Sequence, residues 1–170
     1  MRRRALLALA FALPLVSPAA PASRGLTPDP GAGLCRALPV AAIEAALGQK
    51  AGTMGGRDLE DYQSCTANFG DAAVKVEHHT AGQPGLPVDV PSGLAGLLAA
   101  FGPSLREVET RDFGDIGCYR GVLELMGHSM HSTACFQPAG YYTIGVSSPR
   151  AAIPMEKVKE LLEKTIAQRR

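Results

Sequence analysis

The sequence contains no tryptophan, and only 5% of its residues are aromatic. An aromatic platform of the kind that binds sugar rings therefore has no support in the composition. The sequence also lacks an uninterrupted apolar run of about 20 residues, which a membrane-spanning helix requires. Beyond the three arginines at residues 2–4, no basic or acidic tract is present, and the formal net charge is only +1. Nucleic acid and anionic membrane surfaces are consequently not expected as partners.

The first 22 residues have the layout of a secretory signal peptide. Met-Arg-Arg-Arg precedes an apolar run from Ala5 to Val16, and small residues follow. Ala20-Pro21-Ala22 fits the small-x-small rule, so we expect cleavage after Ala22, with Ala19 as the second choice. Removal of residues 1–22 takes away three arginines and no acidic residue, which leaves 14 basic against 16 acidic groups. We therefore expect a periplasmic or secreted protein.

The remainder of the chain suits one domain. Residues 23–33 are rich in proline and glycine and are expected to be a flexible lead-in. Residues 34–170 are long enough to bury one hydrophobic core and predict a single globular α+β domain. Four cysteines in an exported chain indicate two disulfides.

Residues 118–135 predict a β-hairpin closed by its own disulfide. With a turn at Met126-Gly127, glycine takes the second turn position and Cys118 lies directly opposite Cys135. One face of the hairpin is then apolar and the other is mostly polar and carries both cysteines, which is typical of a half-buried pair of strands. The apolar face carries Tyr119, Leu123, Leu125, Met130, Ala134 and Phe136.

A second hairpin is predicted over residues 62–79, with its turn at Gly70-Asp71. Phe69, Ala67 and Cys65 then share the buried face of the sheet. Cys35, which precedes the first predicted helix, is the favoured partner of Cys65. The alternative pairings of Cys35, with Cys118 or Cys135, stay open from the sequence.

The full pattern predicts an α+β fold with an antiparallel sheet of about five strands. The strands come from the two hairpins and a last strand over 141–147, and residues 105–111 are expected to form a further strand or an extended arm. Residues 52–61 are expected to be loop. Helices are predicted over 38–47, 92–101 and 154–168, all packed on one face of the sheet.

The two halves of the chain resemble each other in the order of their elements. In residues 34–80 and again in 92–137, a helix ends at a glycine, a cysteine follows 17 or 16 residues later, and that cysteine lies in a hairpin. This order suggests an internal duplication.

The chain also resembles a broad group of small exported bacterial domains of unknown function. The run from Leu34-Cys35 to Leu47-Gly48, the turn Phe113-Gly114-Asp115-Ile116-Gly117 and the closing amphipathic helix carry this resemblance. The group includes many lipoproteins and is similar in layout to extracellular sensor domains of some bacterial receptor kinases. The chain departs from the lipoprotein pattern because it lacks a lipidation cysteine. The resemblance implies a binding module, and no catalytic residue carries over.

One cluster of potential metal ligands stands in the central hairpin. Met126, His128, Met130 and His131 lie within six residues, and thioether and imidazole groups are ligands that copper prefers. Alternation along a strand sends Met130 and His131 to opposite faces, and Met130 also suits a core position. The sequence therefore offers a copper or zinc site only as an alternative.

Three functional hypotheses follow. The first is an exported, non-enzymatic module that binds a small molecule, an envelope component or a protein. Its expected contact surfaces are the proline-rich loop 80–91 and the rim of the central hairpin. The second is a periplasmic copper or zinc binder that uses the Met/His cluster, and the third is an enzyme with dispersed catalytic residues. No cofactor and no catalytic residue are expected, and the oligomeric state is unknown.

Overall fold

The computed structural model describes residues 32–80, 86–125 and 127–169. The predicted signal peptide and nearly all of the predicted lead-in lie outside these residues, although Gly33 already begins a helix. The helices are α1 (Gly33–Arg36), α2 (Val40–Leu47), α3 (Val90–Phe101) and α4 (Met155–Arg169). The strands are β1 (Ala51–Asp58), β2 (Tyr62–Phe69), β3 (Ala72–His79), β4 (Leu105–Asp112), β5 (Gly117–Leu125), β6 (His128–Gln137) and β7 (Tyr142–Ser148).

The described strands form one antiparallel sheet in the order β1-β2-β3-β7-β6-β5-β4. The prediction of about five strands is therefore wrong, because the sheet has seven. The additional strands are its two edges: β1, which was expected to be loop, and β4, which the sequence left as a strand or an arm. An edge strand pairs on one side only and buries little, so its sequence lacks the alternation that marks an inner strand.

The main core lies on one face of the sheet, which we call the disulfide face. It carries Cys65, Val74, Val76, Cys135 and Ile144, all of which are at most 1% exposed. Helices α1 and α4 pack on this face, and α2 packs against α4. The sequence shows this face of the central hairpin as mostly polar, but its cysteine end is buried. There the Thr133 hydroxyl donates a hydrogen bond to the Ile153 carbonyl (2.8 Å), in the segment that precedes α4.

Helix α3 packs on the opposite face, which we call the α3 face. The prediction that the helices cover one face of the sheet is therefore wrong. The Phe101 ring of α3 lies 5.8 Å from the Tyr119 ring of β5, and Gly93 abuts Phe136 of β6. Because Tyr119 and Phe136 are neighbours of Cys118 and Cys135 along their strands, they project from the face opposite the disulfide. The apolar face that the sequence shows in this hairpin is the one that α3 covers.

A repeated arrangement explains why α3 changes face. Hairpins β1–β2 and β4–β5 have the same register: Asp58 faces Gln63, and Asp112 faces Gly117 at the corresponding position. Strands β3 and β6 pair with opposite edges of β7 and so run in the same direction. Strands β1–β3 therefore form one unit on one side of β7, and strands β4–β6 form a second unit on its other side. A rotation of 180° about an axis along β7 relates the strand order and direction of the two units, and the same rotation exchanges the two faces of the sheet. Common ancestry of the two halves stays a prediction.

Two disulfides are present, Cys35–Cys65 and Cys118–Cys135, which are the pairs that the sequence favoured. The first ties α1 to β2, and the second joins opposite residues of β5 and β6. None of the described helices is both long and apolar enough to cross a lipid bilayer.

Candidate functional site

A cleft of about 500 Å³ lies on the α3 face, beside α3 and over the ends of β3, β6 and β7. The helix contributes the small and apolar residues Gly93, Gly96, Leu97 and Ala100. The sheet side includes Phe136 and its neighbours, and residues 86–88 line a further part of the wall. A volume of this size and a mostly apolar lining are typical of pockets for small molecules.

The start of α3 is fixed by a capping box, which holds the chain where residues 86–88 meet the cleft. The Ser92 N–H donates to the Asp89 carboxylate (2.8 Å), and the Asp89 N–H donates to the Ser92 hydroxyl (3.4 Å). The predicted helix begins at residue 92. In the structure Asp89 is the cap, and Ser92 is the third residue of the helix.

Two glycines of α3 shape the cleft. A Cβ atom on Gly93 would collide with the Phe136 ring, so only glycine lets the helix approach the sheet this closely. A Cβ atom on Gly96 would meet nothing within 4 Å, and Gly96 lines the cleft. The first glycine therefore brings α3 against the sheet, and the second leaves open space beside it.

A few polar groups stand among the apolar walls. His79, Gln137 and Thr143 line the cleft at the strand ends. The Gln137 side chain donates to the Asp115 carboxylate (3.0 Å), and the backbone N–H of His79 donates to the backbone carbonyl of Tyr141 (3.1 Å). Tyr141 has a positive φ of 50°, which is uncommon for a bulky residue, and it ends the 3₁₀ turn Pro138–Gly140.

A charged network lies beyond the cleft on the uncovered part of the α3 face. The Tyr62 hydroxyl donates to the Glu77 carboxylate, and Lys75 Nζ lies 2.7 Å from Glu77 Oε1. Burial alone would raise the pKa of Glu77, but hydrogen bonds from Lys75 and Tyr62 outweigh it and hold that pKa below its usual value. Burial and the bond to Glu77 raise the pKa of Tyr62. The ammonium and the carboxylate neutralise each other, so this region does not favour an ionic ligand.

A smaller hollow of about 280 Å³ lies on the other side of the turn Pro138–Gly140, beside the end of α4. Arg169 lines it, and the Arg169 Nη2 group donates to the Gln63 side chain. The guanidinium carbon lies 5.7 Å from the centroid of the Tyr142 ring. Nη1 of the same guanidinium is buried and has no hydrogen-bond acceptor among the described residues.

The predicted metal ligands do not come together in the structure. Met126 lies outside the described residues. His128 and Met130 occupy positions on one face of β6, whereas His131, opposite Val122, occupies a position on the other. Within the described ranges, no group of three or more histidine, cysteine, aspartate or glutamate side chains is arranged to hold a metal ion. The metal site stays a prediction without a geometric counterpart.

The predicted contact surfaces have different outcomes. Residues 86–88 of the proline-rich loop line the cleft, while residues 81–85 are not described. At the rim of the central hairpin, the Ser129 hydroxyl donates to Glu124 (2.8 Å) on an exposed surface. The rim therefore holds an exposed polar pair, and the cleft residues of β6 and β7 lie at the opposite end of these strands.

The sequence did not predict the cleft itself, because its walls come from four elements distant in the chain. Two local signals nevertheless fell on its walls. One was the proline-rich loop 80–91, an expected contact surface, and the other was the spacing of Gly93 and Gly96, since both glycines weaken a helix that does not need them for a turn.

Comparisons with known proteins identified no relative. No protein-family model matches the chain, no curated protein matches it, and no solved structure matches it.

Proposed function

We propose that this chain is an exported, non-enzymatic binding module whose ligand is a small, mainly apolar molecule held in the cleft beside α3. The observation that carries the proposal is the cleft of about 500 Å³, with its apolar wall on α3 and few polar groups at the strand ends. Such a combination provides binding energy from apolar burial and orientation from a small number of hydrogen bonds.

The surrounding scaffold supports the same proposal. A preorganised cleft binds more tightly than a mobile one, because less conformational freedom is lost on binding. Here the cleft stands on the inner strands of a sheet that two disulfides reinforce. Disulfides persist in oxidising compartments, which agrees with the predicted signal peptide and with a periplasmic or secreted location.

The two alternative functions, a metal binder and an enzyme, have no comparable support among the described residues. His128 and His131 occupy opposite faces of β6, so a metal site would require other ligands than those predicted. Of the titratable groups in the Tyr62–Glu77–Lys75 network, none lines the cleft. Neither a metal binder nor an enzyme is therefore favoured as a second candidate.

Gly96→Phe tests the proposal directly, because the new side chain enters the open space of the cleft. We expect the exported protein to bind 1-decanol, used as a neutral apolar probe, and Gly96→Phe to bind it at least about tenfold more weakly. Isothermal titration calorimetry measures both affinities.

Ala95→Phe is the matched control. Ala95 lies on the same helix, is exposed, and does not line the cleft. We expect this variant to bind 1-decanol within about twofold of the unchanged protein. The proposal is contradicted when the unchanged protein does not bind the probe, or when the two variants weaken binding equally.

A further inference from the structure

Thr143 of β7 presents a hydroxyl group to the cleft. Its neighbour Ile144 is fully buried in the core on the disulfide face, so Thr143 projects from the opposite, α3 face. Thr143 faces Phe136 in the β6–β7 pair, and both residues line the cleft. The Thr143 hydroxyl makes no hydrogen bond with any other described residue. Because a hydroxyl both donates and accepts, this group is available to bind a hydroxyl, carbonyl or amide group of a ligand.

Two other polar side chains of the cleft are already engaged within the protein. The Ser92 hydroxyl belongs to the capping box, in which it accepts from the Asp89 N–H (3.4 Å) and donates to the Asp89 carbonyl (3.1 Å). The Gln137 side chain donates to the Asp115 carboxylate (3.0 Å). A ligand that used either group would replace a hydrogen bond of the protein, which cancels most of the gain. Thr143 has no such bond to lose.

The cleft provides no counter-charge for an ionised ligand. Among the described residues that line it, none is a lysine, arginine, aspartate or glutamate. Glu77 faces Thr143 across the β3–β7 pair, but Lys75 neutralises it (2.7 Å). The N-terminus of α3 also attracts anions, but the carboxylate of Asp89 already occupies it. An ionised group would therefore lose its hydration in the cleft without compensation, whereas a neutral polar group needs only one hydrogen bond.

We propose that the cleft selects an uncharged amphiphile, such as a long-chain alcohol, whose single polar group forms a hydrogen bond with the Thr143 hydroxyl. This inference rests on the proposed function, because the apolar body of the same ligand lies beside α3. Thr143 then determines which polar groups the cleft accepts, and the uncharged walls exclude acids and amines.

The first experiment compares 1-decanol with decanoate, which have the same chain length, at pH 7.5, where the carboxyl group is ionised. Calorimetric titrations below the critical micelle concentration of decanoate should show that 1-decanol binds at least about tenfold more tightly. In Gly96→Lys this ratio should fall to about one or reverse, because the open space at Gly96 accommodates a counter-charge for the carboxylate. Ala95→Lys is the matched control, since it adds the same charge at an exposed position outside the cleft, and its ratio should stay at about tenfold or more.

The second experiment measures the contribution of the hydroxyl. Thr143→Val removes the hydroxyl and keeps the branched shape of the side chain, so 1-decanol should bind about fivefold more weakly. Thr143→Ser retains a hydroxyl and should weaken binding by about twofold or less. Thr66→Val is the matched control, because Thr66 is an exposed threonine on the same face of the sheet and does not line the cleft. Its affinity for 1-decanol should stay within about twofold of the unchanged protein.

Four results overturn the inference, and they are distinguishable. Equal or tighter binding of decanoate by the unchanged protein excludes a preference for uncharged ligands and leaves the apolar cleft intact. The same ratio in Gly96→Lys and Ala95→Lys shows that the selection is not made in the cleft. Unchanged binding of 1-decanol by Thr143→Val shows that another lining residue, such as Tyr141, holds the polar group. Binding of neither ligand contradicts the proposed function and this inference together.

Discussion

The two faces of the sheet differ in how completely they are covered. The disulfide face is sealed by α1 and α4, with α2 against α4, and many of its side chains have no exposed surface. The α3 face has one helix over β4, β5 and β6, and beyond this helix lie the cleft and then a polar network. The two-fold relation between the halves places one helical unit on each face, and α4 is an addition to the disulfide face alone.

This difference indicates a division of tasks. A sealed and apolar face provides most of the stability of the protein, because stability scales with the apolar area removed from water. The α3 face is only partly covered, so it can hold a concave surface without any loss of apolar contacts in the core on the disulfide face. Binding surfaces are commonly positioned in this way by a rigid scaffold. We therefore expect substitutions on the disulfide face to change the free energy of unfolding, and substitutions on the α3 face to change binding.

The largest expected effect comes from removal of a core side chain on the disulfide face. Leu162 of α4 is fully buried, and Leu162→Ala should reduce the free energy of unfolding by about 2–5 kcal/mol. Leu97→Ala on α3, where the leucine is only partly buried and lines the cleft, should cost about 1 kcal/mol or less. Urea unfolding measures both values. Equal losses would show that the two faces contribute equally to stability.

The next effect contrasts the two glycines of α3. Gly93→Ala should cost about 1–3 kcal/mol, because its methyl group collides with the Phe136 ring and moves the helix away from the sheet. Gly96→Ala should instead stabilise by about 0.5–1 kcal/mol, since alanine favours a helix and the site is open. Thermal unfolding of the pair measures the sign of each change. Two changes of the same sign would contradict the close approach of α3 at Gly93.

The smallest effect concerns the polar network on the uncovered part of the α3 face. The pKa of Glu77 is lower in the folded protein than its ordinary value of 4.5, so the ionised carboxylate stabilises the fold above pH 4.5, and this stabilisation is lost as the pH falls through the lower pKa of the folded state. Glu77→Gln should therefore cost up to about 1 kcal/mol at pH 7, and the difference should narrow below pH 4.5. Urea unfolding at pH 7 and pH 3 measures this change.

Glu109→Gln is the control for this prediction, because Glu109 pairs with Arg120 in an exposed position on β4. Its effect at pH 7 should be smaller than that of Glu77→Gln. A difference between Glu77→Gln and the unchanged protein that does not depend on pH would contradict the assigned role of the carboxylate.

The inner hairpins could be predicted from the sequence in detail. Phe69 pairs with Ala72, and Cys65 pairs with Val76, as the turn at Gly70-Asp71 predicted. Cys118 faces Cys135, which fixes the register of the central hairpin. These predictions succeeded because turn residues and alternating side chains are local signals. The last helix, predicted over 154–168, is α4.

The edges and the placement of the helices could not be predicted in the same way. Of the eight residues of β4, only Leu105 is buried, and its many charged side chains suit an edge that must not pair further. Strand β1 contains three glycines and no regular alternation. The position of α3 depends on which face of the sheet carries the apolar side chains of β5 and β6. The pairing of these strands with β7 decides this, and such a pairing between distant segments leaves no local pattern in the sequence. The cleft arises from that placement, so its position could not be predicted from the sequence either.

The most direct test of the central claim is the location of a bound apolar molecule. We would record amide chemical shifts of the exported, ¹⁵N-labelled protein by nuclear magnetic resonance during titration with 1-decanol. We predict changes concentrated at Gly96, Phe136 and Thr143, which line the cleft, and none at Ile43 or Val158 in the core of the disulfide face. Changes that are absent, or that are spread equally over both faces, would contradict the account.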